Sequence, residues 1–194
     1  SPTSEVGKVT KSTPFGSLDQ PFNPIALALG AQASFVARTH DMDRGHMQET
    51  FRRAHEHKGA ALVEIYQNCN VFNDGAFTSK ATRESMLIPL VHGQPVRFGP
   101  DGSKGVISDS SGRARIVDVA DVDEADLVVH DERAPDASLA FGLAQLSSGP
   151  HEPTPIGVFR AVERPEYAEQ TNQQLDQARA QRGEGDRAAR LRSG

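Results

Sequence analysis

A lone thiol is the most reactive group in this chain. Cys69 is the single cysteine in 194 residues, and it sits in Gln67-Asn68-Cys69-Asn70-Val71-Phe72-Asn73-Asp74-Gly75. Ala60 to Tyr66 precedes it, a run of aliphatic and β-branched residues that reads as a buried strand. Asn73-Asp74-Gly75 closes the stretch as a turn, because Asn and Gly tolerate positive φ. A thiol just past the carboxyl end of a strand stands where open α/β sheets place ligands. Two readings of it are open: a small buried hydrophobe, or a nucleophile or metal ligand. No CxxC accompanies it, so this chain alone cannot complete a four-ligand metal site. Spacing by itself leaves the buried-thiol reading ahead.

Other groups carry weaker signals. His46, His55 and His57 decorate one helical stretch, but His55 and His57 face different directions and cannot act as a ligand pair. Surface exposure is the expectation for all three. The acidic series Asp118, Asp121, Asp123, Glu124, Asp126, Asp131, Glu132 and Asp136 lacks the spacing of a calcium loop and reads as a solvated face. The opening Ser1-Pro2-Thr3-Ser4 and Gly7 to Gly16 is rich in hydroxyls and glycine but has no Walker spacing.

The elements that must position Cys69 follow from capping and periodicity. Asn23-Pro24 starts a short apolar helix that Gly30 stops. Ser34 to Arg38 is a strand. Asp41 or Asp43 caps a helix running to about His57, with Met47, Phe51 and Ala54 as its apolar stripe. Helix, strand, helix, strand with apolar strands is the alternation of a parallel α/β sheet. A short helix is expected over Thr78 to Met86. Leu87–Val91, Pro95–Phe98, Gly105–Ser108 and Arg115–Val119 then read as a small antiparallel meander. Ser138 to Leu146 is an amphipathic helix, Pro150, Pro153 and Pro155 mark a linker, and Ile156 to Val162 is a last strand. From Tyr167 the chain is helix-prone to about Gln181, and beyond Gly183 it is an exposed tail. The division expected is 1–76, 77–165 and 166–194.

Composition narrows the class. The net charge is −5, with 26 acidic against 21 basic residues, so a phosphate backbone is not an expected partner. No run of 18 apolar residues exists to span a membrane. One cysteine excludes an internal disulfide and fits a reducing, cytoplasmic setting. The sheet lacks enough strands for a complete domain, and the start at Ser1 without methionine fits a segment of a longer polypeptide.

Several of these stretches taken together resemble a known family. Ser1-Pro2-Thr3-Ser4 with Gly7-Lys8-Val9-Thr10-Lys11-Ser12-Thr13-Pro14-Phe15-Gly16 is similar to the segment that follows the thiamine-diphosphate motif in that family. Asn23-Pro24-Ile25-Ala26-Leu27-Ala28-Leu29-Gly30-Ala31, Phe35-Val36-Ala37-Arg38, His57 to Glu64, and Gln67 to Gly75 continue the match. The chain thus resembles the β subunit of 2-oxoacid:ferredoxin oxidoreductases, in particular the 2-oxoglutarate type, over residues 1 to about 100.

That resemblance implies a fold, cofactors and partners. The fold would be the C-terminal part of a thiamine-diphosphate-binding, doubly wound parallel sheet, followed by the antiparallel meander and a helical tail. The whole subunit would bind thiamine diphosphate through its pyrophosphate and Mg²⁺, and hold a [4Fe–4S] cluster. It would decarboxylate a 2-oxoacid, pass electrons to ferredoxin and the acyl group to coenzyme A, and work with an α subunit. Cys69 matches the family's fourth cluster ligand. The other three cysteines and the Mg²⁺-binding motif would precede Ser1, so the chain alone should be inactive. The rival readings are a non-catalytic subunit-docking segment and a cluster-free thiamine-diphosphate decarboxylase or synthase.

Overall fold

The structure, a computed structural model, describes residues 5–67, 85–146 and 152–183. Cys69, the turn at Asn73 to Gly75, most of the helix expected over Thr78 to Met86, Pro150, and the tail beyond Gly183 lie outside the described residues, as do Ser1 to Ser4.

Helix α1 (Pro24–Gly30) begins as its sequence dictates. Asn23 caps it by accepting from the Ala26 N–H at 3.0 Å, and Pro24 occupies the first turn. The same Asn23 side chain donates to the Ala144 carbonyl at 2.8 Å, tying α1 to a helix 121 residues away. Ile25, Ala28 and Leu29 are buried while Leu27 is exposed, so this apolar helix is only half-buried. Strand β1 (Phe35–His40) is buried at all six positions. Of the two acids offered as caps, Asp43 is the one used for α2 (Arg44–Glu56), accepting from the His46 N–H at 2.9 Å. Strand β2 (Ala61–Tyr66) runs parallel to β1 in the register Phe35↔Ala61 to His40↔Tyr66.

The rest of the chain departs from the expected layout. Strand β3 (Leu87–Leu90) does not belong to the meander, and the last strand β7 (Thr154–Ala161) does not stand apart. Both join β1 and β2 in one sheet of order β2-β1-β7-β3. β7 is antiparallel to β1 and parallel to β3. The sheet is therefore mixed, which corrects the expectation of an all-parallel, doubly wound sheet. The boundary expected at 76/77 runs through this one sheet: β2 and β1 come from before it, and β7 and β3, paired alongside, from after it. β2 lies at the sheet's edge and is only half-buried, where its composition read as a buried strand.

Pro155 read as linker but stands inside β7, opposite Ile88. Its place is permitted because β1 pairs with β7 only as far as Gly157. The missing N–H of Pro155 costs no ladder bond there, and its carbonyl accepts from the Arg38 guanidinium at 3.1 Å. At Gly157 the backbone has φ +122°, and a Cβ would lie 2.7 Å from the Leu90 carbonyl oxygen. Only glycine fits.

The meander is shorter than expected: β4 (Arg97–Phe98), β5 (Lys104–Ser108) and β6 (Ala114–Asp118) form an antiparallel three-stranded sheet. Two single 3₁₀ turns follow, Val119–Asp121 and Glu124–Asp126, which hold much of the acidic series on the surface. Helix α3 (Ser138–Ala144) buries Ala140, Leu143 and Ala144, while Phe141 is exposed. Helix α4 (Tyr167–Arg182) buries nothing.

One core joins these parts. Ile25, Leu29, Val36, Ile88, Val96, Phe98, Val106, Leu143 and Phe159 form a single buried cluster spanning α1, both sheets and α3. Phe35, Ala37 and Val158 make a smaller one beneath α2. The sheet is thus covered on both faces, and its carboxyl-end loops are left to line a cleft.

Candidate functional site

β1 and β2 end side by side, and the Asp41 N–H donates to the Tyr66 carbonyl at 3.0 Å. Cys69 follows Tyr66 by three residues in the sequence and lies outside the described residues. Next to the same end opens a cleft of about 910 Å³. The end of β1 and the first turn of α2 (His40 to Arg44, and His46) form one wall. Leu87, Pro89 and Ile156 supply an apolar floor, and Arg97, Phe98 and the Gly99–Gly102 turn of the meander close the far side.

The wall is more ordered than a row of surface side chains. His40 is buried, and its ring stacks on His46 at 6.4 Å between centroids and 22° between planes. The His46 Nδ1 pairs with the Thr39 hydroxyl at 2.8 Å, and Thr39 is fully buried. Burial holds the His46 pKa below the ordinary histidine value, the nearby Asp43 carboxylate opposing it. His46 is therefore a neutral, oriented imidazole at neutral pH.

His57 is also no free surface residue. Its Nε2 bonds the Ser34 hydroxyl at 2.9 Å, its ring packs at 5.4 Å from Phe35, and burial lowers its pKa. Only His55 of the three is exposed, as all were expected to be. The expectation failed because it asked which histidines could pair as metal ligands and not which ones point back at β1.

The polar residue that matters most to the strand ends was not singled out by sequence reasoning. Arg38 is 2% exposed yet stands in the middle of β1. Its Nε donates to Glu64 Oε2 of β2 at 2.6 Å, with Glu64 12% exposed. A second donor reaches the Pro155 carbonyl of β7. The guanidinium also lies over the Tyr66 ring at 4.7 Å and the Phe159 ring at 5.4 Å. One side chain thereby clamps three strands at the end from which the Cys69 segment departs. The available signal was an arginine and a glutamate interrupting two apolar strands at equal positions in parallel register.

A second buried arginine works at the opposite end of the sheet. Arg160 donates to the Ala33 and Pro135 carbonyls at 3.2 and 2.8 Å, and Arg164 donates to the Gln32 carbonyl at 3.0 Å. Together they neutralise carbonyls just beyond the carboxyl end of α1, where cations are favoured.

Chemically, the cleft offers hydrogen bonding from the neutral His46 imidazole and an apolar floor. Its charges offset each other, Arg44 and Arg97 against Asp41 and Asp43, and Asp43 is already engaged as a helix cap. Among the described residues no group of three His, Cys, Asp or Glu side chains stands ready to hold a metal ion, and no helix is long and apolar enough to cross a membrane.

Comparison with known proteins adds three findings. No protein-family model matches the chain. It is 47% identical, over 181 residues and 92% of its length, to the 2-oxoglutarate oxidoreductase subunit KorB of Mycobacterium tuberculosis, of which it covers 48%. It is 40% identical over 74 residues to the 2-oxoacid:ferredoxin oxidoreductase subunit beta of Saccharolobus solfataricus, covering 38% of this chain and 24% of that protein. The chain thus spans about half the length of the mycobacterial relative and less of the archaeal one. Its fold superposes, with a TM-score of 0.61 and 22% identity, on a 2-oxoglutarate:ferredoxin oxidoreductase from Magnetococcus marinus with 2-oxoglutarate, coenzyme A and succinyl-CoA bound. That match covers 100% of this chain and 51% of the other.

Proposed function

We propose that this chain, a homologue of 2-oxoacid:ferredoxin oxidoreductase β subunits, is part of such a subunit in an enzyme that oxidatively decarboxylates a 2-oxoacid. The observation that carries the reading is the 47% identity to KorB across 92% of the chain. The name of that relative and the ligands of the structural neighbour favour 2-oxoglutarate as the acid and coenzyme A as the acyl acceptor. The partners that follow are an α subunit and ferredoxin, in the cytoplasm.

The cofactors of the reading are thiamine diphosphate with Mg²⁺ and a [4Fe–4S] cluster. When bound, they supply decarboxylation of the 2-oxoacid and removal of electrons one at a time. This chain brings one cluster ligand, the thiolate of Cys69, where a [4Fe–4S] cluster takes four cysteines. The remaining ligands and the Mg²⁺ site come from another segment of the subunit.

The reading gives the described residues the task of fixing the strand ends next to the Cys69 segment. β1 is buried on both faces and fixes the strand end. Arg38 joins β1, β2 and β7 there through one ion pair, one carbonyl bond and two ring contacts. Tyr66, the last residue of β2, is held both by the Asp41 N–H and beneath the Arg38 guanidinium. His46, neutral and oriented by Thr39, faces the adjoining cleft as a hydrogen-bonding group.

The experiment is iron analysis of the complete subunit carrying Cys69→Ser. The reading expects loss of most cluster iron and of the brown colour. An intact cluster in that variant, with unchanged absorbance and iron content, overturns the role of Cys69.

A further inference from the structure

A strap of five residues holds the meander on the main sheet, and a buried histidine fastens it. Residues 128–132 are bound on one side to the meander. The Val128 N–H donates to the Val106 carbonyl at 2.8 Å and the Val96 N–H to the Val128 carbonyl at 2.8 Å. The His130 N–H donates to the Gln94 carbonyl at 2.9 Å, and its carbonyl accepts from Gly93 at 2.8 Å. On the other side the strap meets β7 through two bonds. Glu132 accepts at its carbonyl from the Ala161 N–H at 2.6 Å, and the His130 imidazole Nε2–H donates to the Val158 carbonyl at 2.7 Å.

His130 is 1% exposed, so the imidazole that makes this bond is sealed between the two sheets. The charged groups around it come from three directions. Asp131 and Glu132 belong to the strap, His92 lies on the turn before the meander, and Arg53 of α2 pairs with Glu132 at 2.8 Å. Arg160 of β7 is two residues from Val158 but turns towards Pro135 and Ala33. Burial holds the His130 pKa below its ordinary value, although the bond to the Val158 carbonyl and the two acids favour an imidazolium; His92 opposes one.

Protonation would keep the Nε2–H bond to Val158, yet it adds a second N–H and a full charge to a water-free contact. The cheapest relief is to let the strap leave β7 and bring the imidazolium into water. The strap is bonded to the meander, and the meander forms one wall of the cleft (Arg97, Phe98 and the Gly99–Gly102 turn) while the main sheet and α2 form the other. We propose that His130 is an acid-released latch: neutral, it fastens residues 128–132 to β7 and holds the cleft to its present width; protonated, it lets the strap come away from β7 and loosens the meander at that side, the shared core staying in place. The device concerns the chain's own two sheets and does not rest on Cys69 or on any cofactor.

The test is site-resolved hydrogen exchange of the full chain, corrected for intrinsic rates, alongside NMR titration of His130. Between about pH 7.5 and about pH 5 the Ala161 amide, bonded to the Glu132 carbonyl of the strap, should lose most of its protection, while the Val128 and His130 amides, bonded to the meander, should keep theirs. The β1 amides should lose less. His130→Gln, whose side-chain amide can still donate to Val158 but cannot take a proton, should hold its protection across that range. His46→Gln should leave the loss intact. An Ala161 amide that stays protected at about pH 5 in the unmodified protein overturns the proposal. So does an equal loss in folded His130→Gln. Should that variant not fold, the coincidence of the imidazole titration with the loss of protection decides, and a mismatch between the two rejects the latch.

Discussion

Arg38 is the residue on which the strand ends depend. Removing one member of a buried ion pair leaves the other charged and unsolvated, at a cost of about 3–5 kcal/mol. Arg38→Met should therefore destabilise the chain by that order in urea unfolding, while the double change Arg38→Met with Glu64→Leu should recover most of it, since the charge and its counter-charge leave together. A double variant no better than the single one would mean that the ring contacts to Tyr66 and Phe159, and not the ion pair, carry the clamp. The histidines set the acid limit. His46, His57 and His130 all have pKa values lowered by burial, so between those values and the ordinary 6.5 the unfolded chain binds more protons than the folded one. Stability is then fully present above about pH 6.5 and falls as pH drops below it. Asp109 adds a second limit: bonds from Ser111 and from the Arg113 and Ser111 amides push it down to about 2, so its contribution is lost as pH falls from about 4 towards that value. A pH series of denaturation midpoints reads both. At this scale the sequence exposed Cys69 as an isolated thiol. It hid Arg38, His46 and His130, because their roles come from neighbours 26, 7 and 28 residues away.

The elements formed largely where local chemistry put them. Asn23 and Asp43 cap their helices, Gly183 stops α4 at φ +75°, and the apolar runs became strands. Two single substitutions test how much these local devices matter. Asn23→Ala removes both the cap and the bond to the Ala144 carbonyl, and should cost about 1–2 kcal/mol. Gly157→Ala forces a Cβ against the Leu90 oxygen at a positive φ; it should destabilise more than Asn23→Ala and loosen exchange in β3 and β7. An alanine tolerated there would contradict the close β3–β7 approach. What the sequence could not show was partnership. Thr154–Ala161 pairs with Phe35–His40 across more than a hundred residues, and nothing in its alternation says whether it joins the meander or the main sheet. Pro153 and Pro155 further disguised its start as linker. The edge position of β2 was hidden for the same reason, since a six-residue apolar run reads alike in the middle of a sheet and at its margin.

On the scale of the whole molecule, a four-stranded mixed sheet and a three-stranded meander share one core and leave a cleft beside the carboxyl ends of β1 and β2. The likeness to a 2-oxoglutarate:ferredoxin oxidoreductase chain lies in this fold, and the homology to KorB runs over nearly the whole of the present sequence. The resemblance to 2-oxoacid:ferredoxin oxidoreductase β subunits was legible in the motifs around Asn23-Pro24 and Gln67 to Gly75. The mixed sheet was not, because those motifs describe the parallel β1–β2 unit and say nothing of the strands that return to it. The central claim is that this chain contributes one thiolate to a cluster otherwise held elsewhere in the subunit. The most direct measurement is the iron and acid-labile sulfide content of the anaerobically purified complete subunit, with and without Cys69→Ser. The account predicts close to four irons per subunit falling to a small fraction in the variant, with the secondary structure by circular dichroism unchanged. Equal iron in both proteins would contradict it.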